Sequence, residues 1–208
     1  MSKIKQIREN VQNATIVAAT KYVGTKEMLK LLDEGICDFG ENRVDSFLEK
    51  YEILKDNKNI TWHFIGTLQT NKVKKMINSI DYLHSLNSFK LASMIDKYRT
   101  TPLKCFLEIN LTNSSTKTGI ILSDVEATLD EISKLKNVTV IGLMTMTESD
   151  MTDIEKEEVF RKLSLLKTNL NNKGYDKITH LSMGMSDDYL IALKCGATFV
   201  RLGRILFS

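Results

Sequence analysis

Lys21 follows the apolar run Ile16-Val17-Ala18-Ala19-Thr20, so a buried strand would deliver its amine at the strand's end. Desolvation there favours the neutral amine, the form that attacks an aldehyde. On position alone, a lysine that snorkels to solvent fits as well. Near the C-terminus, Leu181-Ser182-Met183-Gly184-Met185-Ser186-Asp187 sets small residues and hydroxyls between a strand and a helix near Asp188–Lys194. Amides at such a helix start, with Ser186 as N-cap, would make an anion site. Val200-Arg201-Leu202-Gly203-Arg204 adds amide donors at Gly203 and Arg204 and a guanidinium for a phosphate. Taken singly, either loop also reads as ordinary turn chemistry, with Arg201 paired to a carboxylate.

Other polar residues fall where strands should end: Glu41, Asn42, His84 and Asn110. His63, between Trp62 and Phe64, reads as a hydrogen-bonded core histidine. His84 would line the mouth or cap a turn, and Met144 and Met146 would pack on each other or on a ring. No Ser/His/Asp order, paired-carboxylate pattern, metal spacing or G-x-x-x-x-G-K-[ST] loop stands out.

These residues need a frame that gathers strand ends. Short apolar runs recur at Thr15–Thr20, Cys37–Gly40, Trp62–Gly66, Tyr82–His84, Leu103–Asn110, Val138–Met144, Ile178–Leu181 and Thr198–Leu202. Helical patterns lie between them at Thr25–Glu34, Val44–Lys55, Asn87–Tyr98, Ser123–Leu135 and Asp153–Asn171. Gly35 and Gly196 stand where a left-handed residue would stop a helix before the next strand. About eight such units in 208 residues predict a single (β/α)8 TIM-type barrel, with its site at the C-terminal ends of the strands. A doubly wound open sheet is the competing architecture.

Composition narrows the function classes. At 42% apolar and 26% charged, with a net charge of +3, the chain can bury a large core and carries no charge excess that demands nucleic acid. Cys37, Cys105 and Cys195 lack C-x-x-C spacing, which predicts reduced thiols. The polar stretch Met1–Asn10 is unlike a signal peptide, and no apolar run is long enough to span a bilayer. A cytoplasmic protein with no membrane contact is expected. With a single proline and no linker, residues 1–208 read as one domain.

A set of strings in one order carries more than any one of them. Ala19-Thr20-Lys21, Phe39-Gly40-Glu41-Asn42-Arg43-Val44 and Trp62-His63-Phe64-Ile65-Gly66-Thr67-Leu68-Gln69-Thr70-Asn71-Lys72 come first. His84-Ser85, Lys117-Thr118-Gly119, Gly142-Leu143-Met144, Leu181 to Asp188 and Val200-Arg201-Leu202-Gly203 follow. From about Thr15 to Phe207 the chain resembles the pyridoxal-phosphate homeostasis protein family, alanine-racemase-like barrels without an established turnover. The resemblance implies an alanine racemase N-terminal-domain-like barrel that holds pyridoxal 5′-phosphate as a Schiff base on Lys21. It implies that Ser186, Gly203 and Arg204 hold the phosphate, that Arg201 approaches the pyridine nitrogen, and that Asn42 and Met144 line the pocket. A guanidinium there disfavours protonation of the nitrogen and weakens the ring as an electron sink.

The implied role is intracellular homeostasis and delivery of the cofactor, with apo-enzymes that use pyridoxal phosphate as recipients. Racemases of this fold add a second domain and a tyrosine base on the opposite face. With the chain ending at Ser208, no second base is in prospect, so no enzyme activity and a monomer are expected. A small racemase is the alternative, and a protein-docking surface is a third reading; Lys72 and Lys117 stand in recognisable motifs, though they read at least as well as ordinary solvated lysines. Four positions depart from the family pattern: Val23 for a frequent lysine, Gly24 for a common proline, Arg204 for Thr or Ser, and Ser208 for Gly. Altered phosphate contacts are the expected consequence.

Overall fold

The computed structural model describes residues 3–112 and 118–207, so Lys117 and Ser208 lie outside the described residues. Eight strands run β1 (Thr15–Ala19), β2 (Asp38–Glu41), β3 (Thr61–Phe64), β4 (Tyr82–Leu86), β5 (Leu103–Glu108), β6 (Val138–Met144), β7 (His180–Ser182) and β8 (Phe199–Leu202). They close in sequence order into a barrel, every pairing parallel. The open doubly wound sheet is thereby excluded, because β1 pairs with β8, Val17 opposite Arg201.

Each connection is a helical crossover, as parallel pairing requires. The helices are α1 (Lys3–Asn10), α2 (Thr25–Asp33), α3 (Val44–Leu54), α4 (Val73–Met76), α5 (Phe89–Tyr98), α6 (Val125–Ile132), α7 (Asp153–Asn172), α8 (Tyr189–Lys194) and α9 (Arg204–Phe207). Helix α7 starts on a capping box: the Thr152 hydroxyl accepts from Glu155 N (3.3 Å) and the Glu155 carboxylate from Thr152 N (2.7 Å). Gly35 and Gly196 take φ of +80° and +89°, the left-handed stops expected of them.

Alternation along the strands sorts the core into two parts. The outward set, including Ala18, Phe39, Trp62, Phe64 and Leu83, packs against helical Met28, Phe47, Ile95 and Phe160 in one large cluster. A smaller cluster, Val17, Phe106, Met144 and Phe199, fills the barrel's interior, with Ile65, Tyr82, Ile141 and Met146 against it. The interior is thus packed with side chains, and functional groups collect where the strands end.

Candidate functional site at the C-terminal mouth of the barrel

Lys21 sits two residues past the end of β1. The expected desolvation does not occur: Lys21 is exposed, and its Nζ lies 4.8 Å from the ring centroid of Tyr22, itself 82% exposed. The strand's hydrogen bonds stop at Thr20, and the chain turns outward there, with Val23 N bonding Thr20 O.

Burial falls instead on the residues that hold Lys21's root. Thr20 Oγ1 donates to Glu41 Oε1 at 2.6 Å, Lys50 Nζ donates to Thr20 O at 2.7 Å, and Lys50 forms a salt bridge with the same Glu41 oxygen. Thr20 and Glu41 are fully buried and Lys50 is 9% exposed. Lys50 reaches inward from α3, a residue that sequence reading passed over. Its only signal is a charge on the apolar face of an amphipathic helix.

Asn42 follows β2 and is held by close backbone contact. A Cβ on Gly66 would stand 2.2 Å from Asn42 O, so only glycine lets the chain after β3 pass. The Asn42 Oδ1 atom is buried with no hydrogen-bond partner.

On the opposite side of the mouth, Ser186 does not cap a helix, contrary to expectation. Asp188 is the N-cap of α8, and its carboxylate accepts from Met185 N and Thr147 Oγ1, each at 2.6 Å. Asp188 makes no side-chain bond to the helix's own amides, and Ser186 turns toward β8. Its Oγ accepts from Gly203 N at 3.2 Å, so these two expected phosphate donors are neighbours. Ala19 O would be 3.7 Å from a Cβ on Gly203, which sets the pair beside the end of β1. Arg204 pairs with Asp187 at 2.6 Å, both side chains largely exposed, a contact worth about 0–1 kcal/mol. Gly24, in place of the usual proline, keeps an N–H that donates to Glu27 Oε2 at 3.1 Å at the start of α2.

Arg201 is buried at 5% exposure. Its Nη1 donates to Ser182 O (3.0 Å) and Ser182 Oγ (2.6 Å), and its Nη2 to Thr145 O (3.0 Å), not to a carboxylate. Burial lowers its pKa to about 10, while Asp188 and Glu108 act the other way. Met144, 1% exposed, lies in the interior cluster with Phe106 and Phe199, as expected of a methionine on rings. His63 is the hydrogen-bonded core histidine anticipated. His84 neither lines the mouth nor caps a turn; it is fully buried in the interior. Among the described residues no cluster of His, Cys, Asp or Glu could hold a metal ion, and the three cysteines are unpaired.

Residues 1–208 match the family described as alanine racemase, N-terminal domain. The pyridoxal phosphate homeostasis proteins of Synechocystis sp. and Aquifex aeolicus are 35% and 37% identical to the chain. Those alignments cover 93% and 94% of it and 90% and 86% of the relatives. The chain belongs to the pyridoxal phosphate homeostasis proteins of the alanine racemase N-terminal-domain family. Its barrel is similar to that of family member PipY of Synechococcus elongatus, solved without and with pyridoxal phosphate. TM-scores are 0.93 and 0.91 at 30% and 28% identity, covering 99% and 100% of this chain and 98% and 100% of PipY. A Clostridium difficile alanine racemase shares the barrel alone, at 15% identity and TM-score 0.75, with 56% of its length matched.

A cofactor with a phosphate and polar ring atoms suits the residues of this family member's mouth. Asn42 Oδ1 is a buried polar atom without a partner, and the buried Arg201 guanidinium is a group that only donates. Ser186 Oγ and Gly203 N already meet, so an anion can insert between or beside them.

Proposed function

We propose that this chain binds pyridoxal 5′-phosphate in the barrel mouth, with Lys21 as covalent anchor, and serves intracellular homeostasis and delivery of the cofactor without turnover of its own. The reading is supported by what the strand ends of one barrel face carry: an exposed amine after β1, an unpartnered amide oxygen after β2, a Ser–Gly donor pair after β7 and β8, and a buried guanidinium on β8. PipY, similar over its full length, has been solved with pyridoxal phosphate bound, which supports the same ligand here.

Bound there, pyridoxal phosphate supplies a reactive aldehyde carbon that exchanges between amines. The chain's residues do the holding. Ser186, Gly203 and Arg204 would hold the phosphate; Arg201, a donor that cannot accept, would serve the ring nitrogen; Asn42 and Met144 would line the pocket. Lys21, the covalent anchor, would be reachable by amines from solvent because its side chain is exposed, which suits release to apo-enzymes that use the cofactor. The relatives' names as homeostasis proteins, not enzymes, support a role without turnover. Residues 1–208 act as one domain and a monomer in the cytoplasm.

The test is the absorbance spectrum of the purified protein with added pyridoxal phosphate, for wild type and Lys21→Ala, followed by borohydride reduction. A visible band that reduction fixes onto the Lys21 peptide, absent from the variant, is expected. No band in wild type would refute the reading. Exchange of the α-proton of alanine with solvent deuterium, if rapid, would refute the absence of turnover.

A further inference from the structure

Four polar side chains run in single file through the interior beneath Arg201. Ser182 Oγ lies 2.7 Å from His84 Nδ1, His84 Nε2 lies 2.9 Å from His63 Nδ1, and His63 Nε2 lies 2.9 Å from Asp38 Oδ1. Ser182, His84 and His63 are fully buried, whereas Asp38, the first residue of β2, keeps 27% of its side chain exposed at the barrel floor.

The donors can be assigned from chemistry. Arg201 only donates, so Ser182 Oγ accepts from it. The Asp38 carboxylate only accepts, so His63 carries its proton on Nε2 and accepts on Nδ1. His84 then donates from Nε2 and accepts at Nδ1, and the Ser182 hydroxyl donates to it. Each ring nitrogen in the file is used once, and Ser182 Oγ both accepts from Arg201 and donates to His84. Reversal would need a proton on Asp38 or a second one on His63. Ser182 would then receive two donors, with no acceptor for its own proton among the described residues. Burial holds His84's pKa well below the ordinary histidine value, consistent with one proton on that ring.

The rings are also fixed in plane. His63 stacks on Tyr82 (centroids 4.6 Å, 6°) and His84 on Phe106 (4.4 Å, 24°), and Phe199 closes on both. Buried aromatic walls of this kind lower the local dielectric and strengthen each bond in the file.

We infer that Ser182, His84, His63 and Asp38 form a one-directional hydrogen-bond relay that positions the Arg201 guanidinium from the barrel floor. They are positioning residues, acting only through Arg201. The relay follows from the geometry alone; that Arg201 thereby meets the ring nitrogen of pyridoxal phosphate rests on the proposed function.

Nitrogen-15 spectra of the histidine rings test the relay without cofactor. The chain has three histidines, so His180→Gln removes the single signal outside the file. His63 and His84 are both expected as the Nε2–H form, and Ser182→Ala should shift the His63 signals as well as those of His84. An Nδ1–H form at either ring, or a His63 indifferent to Ser182→Ala, overturns the relay.

The second readout is the bound cofactor. Ser182→Ala removes an acceptor from a buried charge, so its affinity for pyridoxal phosphate should fall about tenfold or more and the absorbance maximum should move. Asp38→Asn, which keeps an acceptor oxygen, should retain both. Unchanged affinity and spectrum in Ser182→Ala overturn the positioning role. If wild type binds no pyridoxal phosphate, the proposed function fails by itself, and the ring spectra still decide the relay.

Discussion

Replacing Lys50 by methionine should destabilise the protein far more than the loss of one lysine from a helix would suggest. The Glu41 carboxylate has no exposed surface, and Lys50 Nζ is its counter-ion while also donating to Thr20 O. Methionine keeps the stem's packing and removes the charge. Glu41 would be left with Thr20 Oγ1 at 2.6 Å and Asn42 N at 3.3 Å as donors to a buried anion. Stranding one partner of a buried pair costs about 3–5 kcal/mol. Against a typical total of about 5–15 kcal/mol, that is a drop of roughly 6–20 °C in melting temperature for a chain of this size. Urea unfolding followed by circular dichroism measures it. The double variant Glu41→Leu with Lys50→Met should recover most of the loss, since a buried pair and an apolar pair of similar volume are nearly isoenergetic. A single variant less than about 1 kcal/mol weaker than wild type, or a double variant no better than the single, would refute the reasoning.

Acidification should destabilise the fold from about pH 6.5 downward. His84 is held well below that value in the fold by burial, so the unfolded chain takes up its proton first; the limiting slope for one such group is about 1.4 kcal/mol per pH unit. His180, lowered chiefly by its own desolvation, acts in the same direction. Urea midpoints at pH 7.5 and 5.5 check this, and a flat profile refutes it. Gly66→Ala should cost about 2 kcal/mol or more, because its Cβ would press on the Asn42 backbone rather than on a movable side chain; thermal melts read the loss, and weaker retention of pyridoxal phosphate should accompany it. Thr152→Ala should cost about 1 kcal/mol through the lost cap of α7 and leave cofactor binding untouched.

The frame was legible because strands buried on both faces announce themselves. Val138–Met144 stands in the structure with the bounds read from its apolar run, and the other seven runs differ by a few residues at their ends. Helices α1, α4 and α9 were not read: α1 is nearly all polar, and the other two are single turns set by tertiary packing. At the site, residue type pointed to the mouth, but direction did not follow from sequence. Lys21 was expected to be desolvated because it follows a buried run; the turn after Thr20, which sends it outward, depends on Lys50 arriving from another element. Ser186 was expected as a cap because serine caps helices, whereas the helix begins two residues later, after Asp188, and the Ser186 hydroxyl meets Gly203 N instead. His84 was read at a mouth it does not reach, since a bulge-like shift between Leu83 and Leu86 carries β4 further than its apolar run suggests.

The two sides of the mouth therefore differ in kind. On the floor side, Arg201 is fixed by Ser182 and Thr145, and an entire file of buried groups stands behind it. On the solvent side, Lys21 is exposed, and Arg204 is tied only to an equally exposed Asp187. A cofactor to be turned over needs its reactive carbon enclosed and its bases fixed. A cofactor to be stored and passed on needs its ring and phosphate recognised and its covalent bond accessible to amines from outside. On the proposed function, rigidity sits where recognition needs it, and exposure sits at the one bond that must exchange. The buried Thr20–Glu41–Lys50 cluster reconciles the two, because it anchors the backbone of Lys21 without enclosing the amine.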